Sequence, residues 1–473
     1  MKLSLDKFLK SPYFQKNGKI TDQWSEVISI LPIGTNKSVI CYDKTCSLLS
    51  TVGVYFREAC GDNRGEINSI SCIRESLISF LKEERGLDEE ETQTFVNILQ
   101  DIFNQNDTFA VPNSEFIKYY PVLPSSKAYR AGHQKLADYL YSMQGDSNTD
   151  GEPHGNSKDI FTQTLKDAFD RMGKAIKSPR KRTQYIIPKC VKRTFHHDFH
   201  WLMAQNDEAV VRYLPLLFYF YICISLFQTV ASILKGESLL LKDQPDIMYV
   251  VLDSERVSIN HDAIQQWAKY MSSAKLENLF GRIQSLDILN LLLANDDEVI
   301  GFEQEIEEKL CETPFDVYKE EMESILKTYK EEKLNTLDRR KYEKGDRDIP
   351  SDLSVSTYRE FIDTLQRLCI GLTPKEYKGR IKKHLNDIFK IRLLQTRRGN
   401  EVPVLDNEML IFLISLVTKG RRTKLQEVYN GFHSYGIYFN RETRLAIENH
   451  LFQMNLLERK SDSGEAQFVH ISI

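Results

Sequence analysis

The segment Tyr213–Leu234, YLPLLFYFYICISLFQTVASIL, runs 22 residues without a charged side chain. A bilayer-spanning helix needs about 20 apolar residues, so length alone admits a membrane span. Its composition argues otherwise. Pro215, Ser225, Gln228, Thr229 and Ser232 interrupt the run, and tyrosines and phenylalanines crowd its middle. Interfacial aromatics sit at the ends of a span, not at its centre. The expectation is a helix buried at the centre of a globular protein. The alternative is a membrane-attached adaptor.

Around this segment, 473 residues suffice for two to four domains. The expected fold class is mainly α: a multi-part helical protein with a small C-terminal winged-helix-like domain. Apolar residues recur at three- and four-residue spacing in Ile73–Leu81 and Thr94–Phe103, which predicts helices within an N-terminal helical region, 1–145. The polar stretch 145–158, GDSNTDGEPHGNSK, reads as a linker. A central helical region, 159–332, contains the buried apolar helix, a short β-branched run Ile247–Leu252, helix over His261–Asn290, and an acidic stretch from 296 onward read as a solvated face. A basic helical region follows over 351–400, and the winged-helix-like domain over 402–473.

That last segment parses element by element. Asn407–Val417 is an apolar-striped helix, Lys419–Thr423 a basic turn around Gly420, and Lys424–His433 a second helix. Asn440 is a natural N-cap, with Phe439 placed to staple the chain to the helix that follows. Arg441–Met454 is the third helix, with Leu445, Ile447, Leu451 and Phe452 expected on its inner side. Leu456–Arg459 and Gln467–Ile471 then flank a hairpin tip at Ser461–Gly464. A recognition helix contacts DNA from its N-terminal end, which puts Asn440, Arg441, Thr443 and Arg444 forward. Arg421, Arg422 and Lys424 are candidates for phosphate contact. From Leu405 onward, however, eight basic residues are balanced by eight acidic ones. DNA contact and protein docking are both compatible with this balance.

The formal net charge is -4, but local stretches depart from it. Arg171–Arg193 carries nine Lys or Arg and no acid. Arg180, Lys181, Arg182, Lys189, Lys192 and Arg193 are its candidate DNA-backbone contacts, and Pro179 and Pro188 prevent one continuous helix. The same strip would equally suit an acidic protein partner. Lys375–Arg398 holds nine basic residues against Glu376 and Asp387, where solvated helix faces are the plainer reading.

The eight cysteines are scattered without a CxxC pair, and Met1–Gln15 has no apolar core of a secretory leader. A reducing, cytoplasmic compartment is expected. Cys190, His196 and His200 lie within CVKRTFHHDFH, but a structural zinc wants four ligands, so no metal is assigned. No phosphate loop, GxSxG elbow, kinase set or Rossmann glycine run occurs, and Ile33–Ser38 resembles only the tail of a phosphate loop. Neither cofactor nor catalytic residue is therefore expected. The one acidic constellation is Asp246, Asp253 and Glu255 around the Ile247–Leu252 run, which would make a Mg-dependent nuclease subunit the alternative.

Three stretches carry a family resemblance: RYLPLLFYFYICISLF at Arg212–Phe227, IMYVVLDSERVS at Ile247–Ser258, and DNEMLIFLISLV with FNRETRLAIENHLFQMNLLERKSDSGEAQFVHI at the C-terminal end. In these, and in size and order of parts, the chain resembles the G component of bacterial DNA phosphorothioation-dependent restriction systems. The resemblance implies a non-catalytic or scaffolding subunit of an antiphage complex that acts on double-stranded DNA lacking the sulfur modification. It also implies an ATPase-like and a helicase-like partner subunit; the composition of Tyr213–Leu234, not the resemblance, argues for no membrane. It carries no catalytic residue over to this chain.

Overall fold

The computed structural model describes residues 3, 5–11, 13, 28–34, 48–59, 70–103, 114–120, 122, 127–145, 167, 182–255, 261–293, 301–336, 349–459 and 467–471. Within them the protein is mostly helical, with three small sheets. The linker 145–158 falls almost wholly outside the described residues, as do Arg180 and Lys181, Cys41 and Cys46, and the hairpin tip.

The N-terminal helices are α1 (Leu5–Leu9), α2 (Leu49–Ala59), α3 (Ile70–Arg85), α4 (Glu89–Phe103) and α5 (Lys127–Gln144). Helix α6 (Lys189–Met203) leads into α7 (Asp207–Lys235), the element that contains Tyr213–Leu234. Both ends of α7 are locally encoded. Asn206 accepts the Ala209 N–H at 2.9 Å, Asp207 and Glu208 face the positive end of the helix dipole, and Gly236 closes the other end at φ 73°.

Helix α7 is long and apolar enough to cross a membrane by length and composition, yet its apolar window is entirely buried by the protein itself. Its polar residues explain the difference from a lipid-facing helix. Ser225 bonds Tyr139 of α5 at 2.7 Å, and Ser232 accepts from Lys242 at 2.7 Å. Gln228 donates to the Asp246 carbonyl at 2.9 Å and accepts the Asp246 N–H at 2.6 Å. Each large apolar side chain buried here contributes roughly 1.5–3 kcal/mol.

Strands β1 (Met248–Tyr249) and β2 (Val251–Leu252) confirm the extended run but split it between two sheets. Helices α8 (His261–Met271) and α9 (Ser273–Leu293) follow, broken at Ser272, then α10 (Glu303–Leu310) and α11 (Lys319–Thr336). Helices α12 (Tyr358–Gly371) and α13 (Lys375–Phe389) are separated by Pro374, which serves as the α13 N-cap. At Gly281 of α9 an added Cβ would lie 2.5 Å from the Ile370 backbone, so this crossing of α9 and α12 requires glycine.

The basic region is not helical to its end. Strands β3 (Leu394–Arg397) and β4 (Asn400–Leu405) form an antiparallel hairpin. Its two-residue turn has Arg398 at φ 48° and Gly399 at φ 81°, the signature of a primed turn whose twist suits paired strands. Strand β2 joins β4 in parallel, Val251 opposite Val404.

The chain ends with α14 (Asn407–Thr418), β5 (Thr423–Lys424), α15 (Leu425–His433), β6 (Ile437–Tyr438), α16 (Arg441–Gln453), β7 (Leu457–Arg459) and β8 (Gln467–Val469). Strands β5, β8 and β7 form an antiparallel sheet in that order, and β6 pairs in parallel with β1. One contiguous core cluster includes residues from Leu3 to Ile471.

Candidate nucleic-acid interface

The C-terminal unit places three helices beside a three-stranded sheet. Asn440 caps α16 as expected, accepting the Thr443 N–H at 2.8 Å. Phe439 does not staple forward. Its ring packs edge-on against Phe432, at 5.0 Å, and against Tyr429, at 6.1 Å, both on the preceding helix α15. The fourth helical position, where a staple partner would sit, is Arg444, which lies over the Tyr429 ring at 5.0 Å. Ile447 and Leu451 are buried, but Leu445 and Phe452 are 51% and 53% exposed. The inward stripe of α16 is thus narrower than expected, and its outer face carries apolar side chains seven residues apart, two turns along one line.

The expected basic residues fall into three groups. Arg421, Lys424 and Arg441 are exposed, and their side chains have no hydrogen-bond or ion-pair partner among the described residues. Arg422 is paired with Glu458 at 2.7 Å and stacks 3.8 Å above Phe468, while Arg444 is half-buried. In the strip before α6, Arg182 stacks 3.7 Å above Tyr141 and donates to the Glu58 carbonyl. Lys189 pairs with Asp243 at 3.0 Å, and Arg193 lies 3.9 Å from the same carboxylate. Lys192 is half-buried on the first turn of α6, for which Pro188 is the N-cap. The second proline therefore starts a helix instead of merely breaking one.

The three acids do not converge. Asp246 is held by Lys235 and Lys242. Asp253 accepts from Gln395 at 3.0 Å. Glu255 accepts the Leu252 N–H at 2.7 Å and the Thr443 hydroxyl at 3.0 Å. Burial pushes the Glu255 carboxyl above its ordinary value despite these donors. Asp246 and Asp253 are separated by the extended segment, which covers roughly 20 Å.

His196 and His200 do share a face of α6, with ring centroids 4.3 Å apart. Partial burial, then His200 and His197, lower the His196 pKa. Cys190 is buried in the core, where burial raises its pKa, and it does not join them. Among the described residues no group of three or more His, Cys, Asp or Glu is arranged to hold a metal.

A denser cation cluster lies elsewhere, in a groove of about 970 Å³ between α9, α12 and α13. Arg367 lines one wall, and Lys375, Lys378, Lys382, Lys383 and Lys390 line the other, with Glu277 and Asp387 as the acids. The excess of lysine in Lys375–Arg398 signalled half of this arrangement. The facing Arg367 had no local signal. Tyr219 of α7 fixes the far end of α13. Its hydroxyl lies 3.0 Å from the Phe389 carbonyl oxygen and accepts the Arg392 and Leu393 N–H groups at 3.0 and 3.1 Å.

No known protein family matches this sequence, and no curated protein does.

Proposed function

We propose that this chain is a cytoplasmic, DNA-associated subunit of a multi-protein restriction complex, contributing binding and scaffolding and no chemistry of its own. The system would act on double-stranded DNA lacking backbone phosphorothioation, as the sequence resemblance implies, with an ATPase-like and a helicase-like subunit as partners. One observation carries the DNA part. The C-terminal unit runs helix, strand, helix, strand, helix, strand, strand, with β5-β8-β7 as one sheet and β6 paired to β1 instead, and leaves Arg421, Lys424 and Arg441 open at the starts of its second and third helices. This supports a winged-helix-like reading, in which such positions meet phosphate.

The test is a salt titration of duplex binding by the full chain, wild type against R421Q/K424Q/R441Q. Removing one phosphate contact lowers the log–log salt slope by about 0.9. Absence of duplex binding, by the chain and by its assembled complex, overturns the DNA reading.

A second reading has its own observation. Leu445 and Phe452 expose apolar surface on the outer face of α16. DNA backbones offer little to such side chains, whereas protein interfaces are centred on them. Docking of a partner subunit on α16 predicts that L445E/F452E abolishes co-purification of that partner and leaves the duplex salt slope unchanged.

A further inference from the structure

We infer that the groove between α9, α12 and α13 is a second binding site, and that its ligand is the phosphodiester backbone of a DNA duplex. The inference rests on the DNA reading above, but on different residues.

The geometry starts with the spacing of lysines on α13. Lys375, Lys378 and Lys382 follow at three and four residues, and Lys390 lies two further turns along, with Asn386 between them. These positions share one helix face. Ile381, Leu385, Ile388 and Phe389, which run along one edge of this stripe, are buried, and so is Asn386 within it. From Lys375 to Lys390 the stripe measures roughly 22 Å at the helical rise. One strand of a duplex carries a phosphate about every 3.4 Å of axis but winds around that axis, so a straight stripe of this length faces only a few of them. Arg367 on α12 closes the other wall, giving six cations against Glu277 and Asp387. Lys382 meets Ser273, and Lys390 lies 3.4 Å from Glu401.

Gly379 is the independent observation. It sits inside α13, in the stripe, and lines the groove. A glycine in a helix interior is destabilising relative to alanine, so it calls for a reason. Positive φ is not the reason, because Gly379 is absent from the left-handed glycines. Internal packing is not the reason either, since nothing lies within 4 Å of a Cβ added there. This contrasts with Gly281, where the neighbouring backbone forbids any side chain. What remains is close approach from outside: the missing side chain flattens the centre of the lysine stripe and lets a bulky backbone lie against the helix.

The chemistry selects the ligand. Lysines act as point charges and suit phosphates met in sequence, without the planar fork that arginine offers to single groups. None of the exposed large hydrophobic residues among the described ones belongs to α12 or α13. A protein partner would want an apolar anchor at the centre, and a membrane surface would want an inserting one. A duplex backbone needs neither.

The experiment uses the full chain with a duplex of unrelated sequence, in salt titrations. K375Q/K378Q/K382Q/K383Q should lower the log–log slope by roughly 0.9 for each phosphate that these lysines neutralise. Gly379→Ala should raise Tm yet weaken duplex binding, a pairing that a merely structural glycine would not produce. Wild-type binding with an unchanged slope in the lysine variant, while R421Q/K424Q/R441Q does lower it, overturns the groove and leaves the DNA reading standing. No duplex binding by the wild-type chain overturns the groove along with DNA binding by the isolated chain. Unchanged binding in Gly379→Ala overturns the close-approach argument.

Discussion

The carboxylate of Asp198 accepts the hydroxyl of Tyr435 at 2.7 Å, across 237 positions of sequence, in the buried seam between α6 and the C-terminal unit. The same carboxylate accepts the Tyr221 hydroxyl of α7 at 2.7 Å and pairs with Lys419 at the end of α14. Lys419 stands at φ 51° and also lies 5.0 Å from the centre of the Trp201 ring. Burial, followed by the nearby carboxylate, holds both tyrosines protonated far above their usual range. One buried anion thus ties the central helices to the C-terminal unit through three donors.

Asp198→Asn should therefore destabilise more than any single donor deletion. Removing one partner of a buried pair costs about 3–5 kcal/mol, and the partial exposure of Lys419 places this case toward the lower end. Tyr435→Phe should cost roughly 1.5–3 kcal/mol, because its partner is charged. Urea titrations of both variants and of the double variant measure their coupling. Additive effects would show that the hydroxyl and the carboxylate do not act together.

Acid should release a second tie. Burial alone would raise the Asp246 carboxyl, but the hydrogen bonds and charges of Lys235 and Lys242 outweigh it and hold the group below its ordinary value of 3.8. A lowered carboxylate contributes stability that is present above its unfolded pKa and lost as pH falls through the folded value. Asp246→Asn should cost about 2 kcal/mol at pH 7. It should also remove part of the acid limb of a Tm-against-pH curve below pH 4 that wild type shows. An identical acid limb in both proteins would refute this assignment.

Two histidines govern a milder range. Partial burial, then neighbouring histidines, lower His196; partial burial, then Arg444, lower His433, which stacks on Tyr438 at 4.0 Å. Both folded values lie below the ordinary 6.5. The unfolded chain then binds more protons, so stability falls as pH drops through 6.5. The slope of Tm between pH 7 and pH 5 should flatten in His196→Gln/His433→Gln.

Glycine positions make opposite predictions. Gly281→Ala must push the α12 backbone and should cost about 1–3 kcal/mol. Gly379→Ala meets open space and should stabilise by roughly 0.5–1 kcal/mol through helix propensity. Thermal melts of the two variants give the signs directly.

The buried state of α7 predicts that the full chain purifies and stays monodisperse without detergent. Leu217→Lys, at the centre of the packed helix, should unfold it, because an unpaired charge there has no water and no counter-ion. Carbonate-resistant sedimentation of the wild-type chain with membranes would contradict this packing.

Sequence by itself determined the elements whose causes are local. The caps at Asn206 and Asn440, the apolar periodicities of α3 and α4, and the extended run at Ile247–Leu252 follow from side chains acting on their own backbone within a few residues. The hairpin of β3 and β4 was equally local, but its Arg398-Gly399 turn was hidden inside a lysine- and arginine-rich stretch that reads as helix surface. Only tertiary structure decided where each charge is placed. Arg182, Lys189 and Arg193 look alike in sequence to Lys375 and Lys378. Yet the first three meet Tyr141 and Asp243 from remote segments, while the latter two line a groove. The outward turn of Leu445 and Phe452 has the same origin. Periodicity says which residues share a face, but the neighbour that covers that face comes from elsewhere in the chain, and charge pairing and burial depend on that neighbour.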